Sequence, residues 1–334
     1  MTSHPTVPQL SIIVPTYDRR HLLERCTDAL RAQDVEVPYE ILIADDGSES
    51  DAAEFGADLA RRDPRVRYLP ALHGGVAAAK NRGIAHARAE ILAFIDDDWV
   101  VAPDFCRRAI AFFDEHPAWP AMTARMVAPP RAGFVERANH LHYETDMRLL
   151  LERRNTFRHH LSNFVAGAHY AFAPQPAPYI SASGGLVIRR KILDLVGVFD
   201  EVLAIGEDTD LAWRMRARDL TLFYNPAIEI VHQVRPTALA SLRQQFQYGV
   251  GLRDFVEKSP DHFALLPNTR RGMQRFASNL LMRPLKKALQ TDSVAQLLAF
   301  FPALFLLNAA YTAGVVYGTW RRPRPHPFPL PRSS

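Results

Sequence analysis

Along roughly the first hundred residues, short runs of β-branched and apolar residues alternate with stretches whose apolar positions recur every three or four residues. These are the two periods of buried strand and amphipathic helix. Residues 10–14 form the first run and end at Pro15-Thr16-Tyr17, after which Leu22, Leu23, Cys26, Ala29 and Leu30 share one helical face. The pattern then predicts a strand over 40–44, a helix over Asp51–Arg62, a strand over Val66–Leu69, a helix over 76–87 opened by His73-Gly74-Gly75, and a strand over 91–95. This β-α-β-α-β-α-β order predicts an α/β fold with a doubly wound sheet, whose ligand crevice lies beyond the carboxyl ends of the strands. A helix over 103–115 and a strand over Ala121–Val127 follow. From 129 to 178 the period is lost among prolines, histidines and aromatics, which predicts an inserted loop-and-helix region over the crevice, an acceptor or lid segment. Order returns with a strand over 186–188, a short helix from Lys191, the turn Gly197-Val198-Phe199-Asp200-Glu201, a helix from Gly206, and strands over 221–224 and 228–231 that end at His232.

The candidate chemistry sits at the strand ends. The apolar run 91–95 terminates in Asp96-Asp97-Asp98, and 40–44 terminates in Asp45-Asp46. Three adjacent carboxylates at the end of a buried strand require a counter-charge. An all-oxygen ligand set suits a hard divalent cation, Mg²⁺ or Mn²⁺, shared with substrate phosphates. The alternative is a solvated turn capping the next helix. Glu207 and Asp208 at a helix start equally suit the macrodipole as simple caps. The scattered His140, His142, His159, His160 and His169 lack ligand spacing and read as surface or packing residues.

Composition adds a compartment and an asymmetry. With 334 residues, 48% of them hydrophobic, the chain has ample material for one large or two modest cores. Cys26 and Cys106 fall on apolar helical patterns, as core residues in a reducing compartment do. Residues 1–9 read as a flexible start without a basic-then-apolar leader, so the catalytic portion is expected in the cytoplasm. The net charge of +4 conceals a basic tail: residues 235–334 carry 14 Lys and Arg against 4 Asp and Glu. Residues 293–320 carry no charge, and 297–316 are long enough to cross a bilayer, although Pro302 and Asn308 interrupt them. Basic clusters flank both sides, contrary to the positive-inside tendency of a single span. The expectation is therefore a re-entrant or in-plane hairpin at the cytoplasmic face of the inner membrane, with 276–285 as its amphipathic partner. A true span, or a helix packed on the domain or on a homodimer partner, is the alternative. This apolar neighbour favours anionic lipid over nucleic acid as the partner of the basic tail. The division expected is 10–240 for the catalytic domain, 241–320 for a helical, apolar C-terminal region, and 321–334 for a proline-rich, disordered end.

Taken in order, Val14-Pro15-Thr16-Tyr17, Asp45-Asp46-Gly47-Ser48, Asn81-Arg82-Gly83, Phe94-Ile95-Asp96-Asp97-Asp98, Ser183-Gly184-Gly185, Gly197-Val198-Phe199-Asp200-Glu201 and Gly206-Glu207-Asp208-Thr209-Asp210-Leu211 resemble the pattern of family 2 glycosyltransferases over residues 10–232. The resemblance implies a GT-A fold and transfer of a sugar from a nucleotide diphosphate donor with inversion at the anomeric carbon. It implies that Pro15, Thr16 and Tyr17 line the base and ribose and that Asp45 accepts a hydrogen bond from the base. An imide N–H would suit that acceptor, which favours a UDP- or dTDP-sugar. It implies further that Asp96 and Asp98 form the Asp-x-Asp signature, Asp96 toward ribose or metal-bound water and Asp98 on the metal, and that Asp208 is the catalytic base. Asp97, Gly184 and Gly185 belong to the matching donor-side motifs. Lys80 stands where many members carry Arg; it can neutralise phosphate but cannot form the bidentate fork. His232 matches a histidine that could touch metal or diphosphate, against an ordinary strand-end histidine. No Gln-x-x-Arg-Trp is present, and Arg243-Gln244-Gln245-Phe246 is no substitute, so addition of a single sugar to a hydroxyl of a glycan, cell-envelope or lipid-linked acceptor is expected. The competing readings are a nucleotidyltransferase acting on a sugar phosphate and a non-catalytic nucleotide-sugar binding protein.

Overall fold

The computed structural model describes residues 7–151, 156–167, 174–177, 185–233, 237–258, 280 and 282–320. Its centre is a mixed sheet in the order β3-β2-β1-β4-β8-β6-β9-β5. The parallel half is built from β1 (Leu10–Thr16), β2 (Tyr39–Asp45), β3 (Val66–Leu69) and β4 (Ile91–Phe94), with α1 (Arg20–Arg31), α2 (Asp51–Arg62) and α3 (Val76–His86) as crossovers. β1 and β2 are buried along their whole length, which is why they read as near-continuous apolar runs. Leu10, Ile12 and Val14 pack on one face with Leu23, Cys26 and Leu30 of α1, while Ile13 faces α3 on the other. There Gly83 lets α3 approach so closely that any Cβ would collide with the Ile13 side chain. The polar exception on β1, Ser11, is buried but hydrogen-bonded to Glu40 at 2.7 Å.

The second half reverses direction. β8 (Leu186–Arg189) lies antiparallel to β4, with Phe94 opposite Leu186. β6 (Ala121–Val127), which follows α4 (Phe105–Glu115), joins β8 antiparallel to the long β9 (Leu222–His232) in parallel. The two strands expected over 221–224 and 228–231 are thus one, its register shifting where β6 reads Ala124/Arg125. Asp96 to Asp98 do not run into a helix cap. They turn into a three-residue strand, β5 (Trp99–Val101), that pairs antiparallel with the end of β9 and sets Trp99 opposite His232.

The aperiodic region contains an 18-residue helix, α5 (Phe134–Leu151), then α6 (Phe157–Val165) and β7 (Gln175–Ala177), which pairs with β9. His140 and His142 are buried in α5, facing Glu144 and Asp146. After β8 come α7 (Arg190–Val196) and α8 (Glu207–Arg216). The turn between them is clamped: Asn81 exchanges hydrogen bonds with the Phe199 backbone, and Arg214 donates to the carbonyls of Val196, Gly197 and Val198.

The C-terminal helices are α9 (Ala238–Lys258), α10 (Arg283–Ala288) and α11 (Val294–Trp320). α11 is a single helix through Pro302 and Asn308 that packs along α9 and also contacts α10; of the expected partner 276–285, residues 276–279 and 281 lie outside the described residues. Gly249 and Gly314 let the two backbones touch, because a Cβ on either would collide with a carbonyl, of Tyr311 or Phe246 respectively. The spacing Gly314-x-x-x-Gly318 continues that close approach against Val250. One face of α11 buries Leu304, Leu307, Asn308, Thr312 and Val315, and the other leaves Leu298, Leu306, Tyr317 and Trp320 more than half exposed. Residues 321–334 lie outside the described residues.

Candidate active site

Parallel pairing brings the ends of β1, β2 and β4 to one rim, with Thr16 opposite Asp45. The loop after β4 then decides what each carboxylate can do. Asp97 points inward: it is fully buried, ion-paired with the Arg19 guanidinium and accepting from the Thr16 hydroxyl at 2.7 Å. Burial raises its carboxyl to about 7, against the opposing pull of Arg19. Asp97 and Thr16 therefore tie the loop to β1. Arg19, which the sequence reading overlooked, also reaches Asp98 at 3.2 Å.

Asp98 is held on the other side by the antiparallel return. Gln233 N–H donates to the Asp98 carbonyl, and His232 Nε2 stands 3.9 Å from the Asp98 carboxylate. His232 stacks on Trp99 with ring centroids 4.9 Å apart, and Tyr143 of α5 meets it edge-on at 5.8 Å.

Lys80 is the hub of the opposite wall. Its side chain is 1% exposed, with Nζ donating to Glu207 at 2.9 Å and lying 3.6 Å from Asp96. Burial works against its charge, but Asp96, Glu207 and Asp208 overcome that cost and hold its pKa above the ordinary value. Here Lys80 ties the α8 N-terminus to the acidic loop. Asp208 follows Glu207 in the first turn of α8, which begins at Gly206 in the left-handed region, φ +88°. Burial and the neighbouring Glu207 raise the Asp208 carboxyl to about 7, while Lys80 and the Thr209 N–H restrain the rise. A carboxyl poised near neutrality can exchange a proton with a hydroxyl substrate.

The β1–β2 end of the rim is equally built. Asp45 is 1% exposed; it accepts from the Ser48 amide and hydroxyl and from the Tyr68 hydroxyl. Asp46 accepts from the amides of Gly74 and Gly75 at the start of α3. Pro15 is buried at the end of β1, whereas Tyr17 is 43% exposed and packs on His73 at 4.6 Å, a partner the sequence reading missed. Gly185 has φ +82° and donates to the Phe94 carbonyl; a Cβ there would stand 3.0 Å from Ile230, so the start of β8 is sealed against β9. Ser183 and Gly184 lie outside the described residues.

The fit to a divalent ion can be judged from these groups. Asp96, Asp97, Asp98, Glu207 and Asp208 face two cations, Lys80 and Arg19. The buried Asp96 Oδ1 has no hydrogen-bond partner among the described residues. No three His, Cys, Asp or Glu side chains among the described residues converge as a closed protein cage. A hard ion shared with phosphates needs only one or two carboxylates, so these residues fit an open site at Asp98 and Asp96 with His232 alongside.

The architecture is that of a GT-A glycosyltransferase. A mannosyltransferase from Pyrobaculum calidifontis, solved with GDP-mannose and Mn²⁺, superposes over 95% of this chain and 88% of its own with TM-score 0.57 at 20% identity. Residues 11–173 match the profile of glycosyl transferase family 2. An uncharacterized glycosyltransferase of Bacillus subtilis, EpsJ, is 37% identical over 102 residues, 30% of this chain and 29% of its own length. The pre-mycofactocin glycosyltransferase of Mycobacterium tuberculosis is 25% identical over 266 residues, 79% of this chain and 51% of its own. The chain thus spans about half the length of that relative, and less of the first.

Proposed function

We propose that the chain transfers a single sugar from a nucleotide diphosphate donor, a UDP- or dTDP-sugar, to a hydroxyl acceptor, with inversion in one displacement. The observation that carries this reading is the place of Asp208 in the first turn of α8, next to the Glu207 that Lys80 joins to Asp96, where burial and Glu207 raise its carboxyl to about 7. Rupture of the anomeric C–O bond builds negative charge on the leaving diphosphate as the sugar becomes oxocarbenium-like. A divalent ion bound at Asp98 and Asp96, with His232 beside it, would supply Lewis-acid stabilisation of that leaving group. Asp208 receives the acceptor's proton as its oxygen attacks from the opposite side. Lys80 favours the ionised form of Asp208 and lies beside Asp96, and Asp97 with Arg19 fixes the loop. Tyr17 and His73 flank the rim where Asp45 lies, which suits a nucleoside there.

We further propose that the reaction occurs at the cytoplasmic face of a membrane, on a cell-envelope or lipid-linked acceptor. The outer side of α11, with Leu298, Leu306, Tyr317 and Trp320, would lie in the interface while its inner side stays packed on α9.

The deciding experiment incubates the purified chain with nucleotide-sugars and Mn²⁺ and identifies the nucleotide released. Nucleoside diphosphate is expected, and pyrophosphate would instead support nucleotidyl transfer. Asp208→Asn should abolish release while donor affinity stays within a few-fold; full turnover by that variant would remove Asp208 as the base.

A further inference from the structure

α9 lies beyond the segment that matches the family profile, yet it closes one side of the acidic cleft. Three contacts fix it there. Asn139 of α5 donates to the buried Ser241 hydroxyl at 2.5 Å, Gln245 donates to the Tyr143 hydroxyl at 3.1 Å, and a Cβ on Gly251 would stand 2.8 Å from Ile205, just ahead of Glu207 and Asp208. The helix therefore bridges α5, whose Tyr143 contacts His232, and the loop that starts α8. Tyr248 lies on this bridge.

A count of protons around Tyr248 points outward. Gln244 donates to the Tyr248 hydroxyl at 3.0 Å, and Gln245 donates to the Tyr143 hydroxyl at 3.1 Å. Each phenol has one proton to give. Both glutamine contacts are donations to the phenol oxygens and use neither proton. The Tyr248 O–H therefore remains, and no hydrogen-bond acceptor takes it among the described residues. A donor without an acceptor in such a half-closed cleft is costly unless a ligand or water takes the proton. The surrounding protein charge is negative, from Asp98, Asp208 and Asp96. The matching ligand must therefore carry acceptor oxygens and bring its own compensating cation.

We infer that the Tyr143–Tyr248 pair is a donor-binding element, with the Tyr248 hydroxyl giving its proton to a phosphate oxygen of the nucleoside diphosphate held at Asp98. This rests on the proposed donor site. The phenol lies on the His232 side of the cleft, because Tyr143 contacts the His232 ring, which in turn stands 3.9 Å from Asp98. Gln244 and Gln245 act through the phenols as positioning residues: they occupy phenol lone pairs, so the spare proton can only turn away from them.

The test uses the full chain. UDP, dTDP, GDP and ADP, each with Mn²⁺, are titrated calorimetrically into wild type. The tightest binder and its parent nucleoside are then compared on Tyr248→Phe and Tyr143→Phe, which keep both rings and hence the packing. One hydrogen bond to a charged oxygen predicts about tenfold weaker diphosphate binding for Tyr248→Phe, a smaller loss for Tyr143→Phe, and unchanged nucleoside binding in both. Diphosphate binding at wild-type strength in Tyr248→Phe would overturn the inference and leave the donor site standing. Equal losses for diphosphate and nucleoside would also overturn it, since a merely structural tyrosine would weaken both. If wild type binds none of the four diphosphates, the donor site and the inference fail together.

Discussion

Replacing Lys80 by methionine probes the electrostatics of the cleft most directly. The ammonium lies 2.9 Å from Glu207 and 3.6 Å from Asp96. At an effective dielectric constant of about 20, these separations correspond to attractions of about 6 and about 5 kcal/mol before desolvation is subtracted. Removing one member of such a buried set leaves uncompensated carboxylates and costs about 3–5 kcal/mol of stability. The catalytic consequence has a definite sign. Lys80 lowers the Asp208 pKa, which burial and Glu207 have brought to about 7. A nearby opposite charge shifts a carboxyl by about one to three units, so its loss raises Asp208 by a comparable amount. The base form of Asp208 exists above its pKa, and the acid limb of kcat/KM should move from about 7 toward the alkaline side. Lys80→Arg keeps the charge and should hold the limb near its original position. Glu207→Gln removes a like charge and should move it the other way, so the double variant Lys80→Met/Glu207→Gln should recover part of both activity and stability. The assay is the initial rate of nucleotide release across the neutral and alkaline range, with urea unfolding of the same variants. An acid limb that stays near 7 in Lys80→Met, despite reduced stability, would refute Asp208 as the group setting it.

Asp98→Ala should remove Mn²⁺-dependent nucleotide binding while leaving the fold intact, because the Asp97–Arg19 pair still anchors the loop; equal nucleotide affinity with and without Mn²⁺ in wild type would contradict this. Asp146 holds both Arg283 and Lys287, so Asp146→Asn should cost about 3–5 kcal/mol in urea unfolding. Burial lowers Lys287 to about 7 from an ordinary 10.5; the unfolded chain therefore binds more protons in that window, and stability should rise with pH through it. Lys287→Met should flatten that rise. Leu298→Asp with Leu306→Asp, both on the exposed side of α11, should reduce flotation with anionic vesicles without lowering nucleotide release from a soluble acceptor; undiminished flotation would exclude that side as the docking surface.

The sequence carried the parallel half of the sheet because β1, β2 and β4 are buried on both faces and their apolar runs end where the carboxylates begin. It did not carry the division of labour within Asp96-Asp97-Asp98. Which carboxylate turns inward depends on β5, a three-residue strand too short to show a period, whose partner His232 lies far along the chain. α5 was obscured for a different reason. Its buried positions include Asn139, His140, His142 and Thr145, which hydrogen-bond to Ser241, Lys287 and the helix backbone or face Glu144 and Asp146, so no apolar stripe at helical period survives. The Asn81 motif was visible as a pattern, but its purpose was not. Asn81 clamps the Phe199 turn, a contact spanning 118 residues, and thereby sets the start of α8.

The segment that matches the family profile ends before Asp208 and His232, yet the cleft cannot be divided there. β4 has β1 on one side and β8 on the other, so the strand that presents Asp96 to Asp98 is completed only by residues after 173. Asp98 itself is positioned by the Gln233 amide and by the pairing of Trp99 with His232. A chain ending at 173 would keep the β1–β2–β3–β4 unit and the buried Asp97–Thr16 tie, but it would expose the β8 edge of β4 and leave Lys80 without Glu207. Metal-dependent nucleotide binding should therefore be lost in that fragment even where circular dichroism reports intact α/β structure. Full-strength binding by the fragment would mean that the parallel half alone forms the site, and that Glu207, Asp208 and His232 serve only the acceptor.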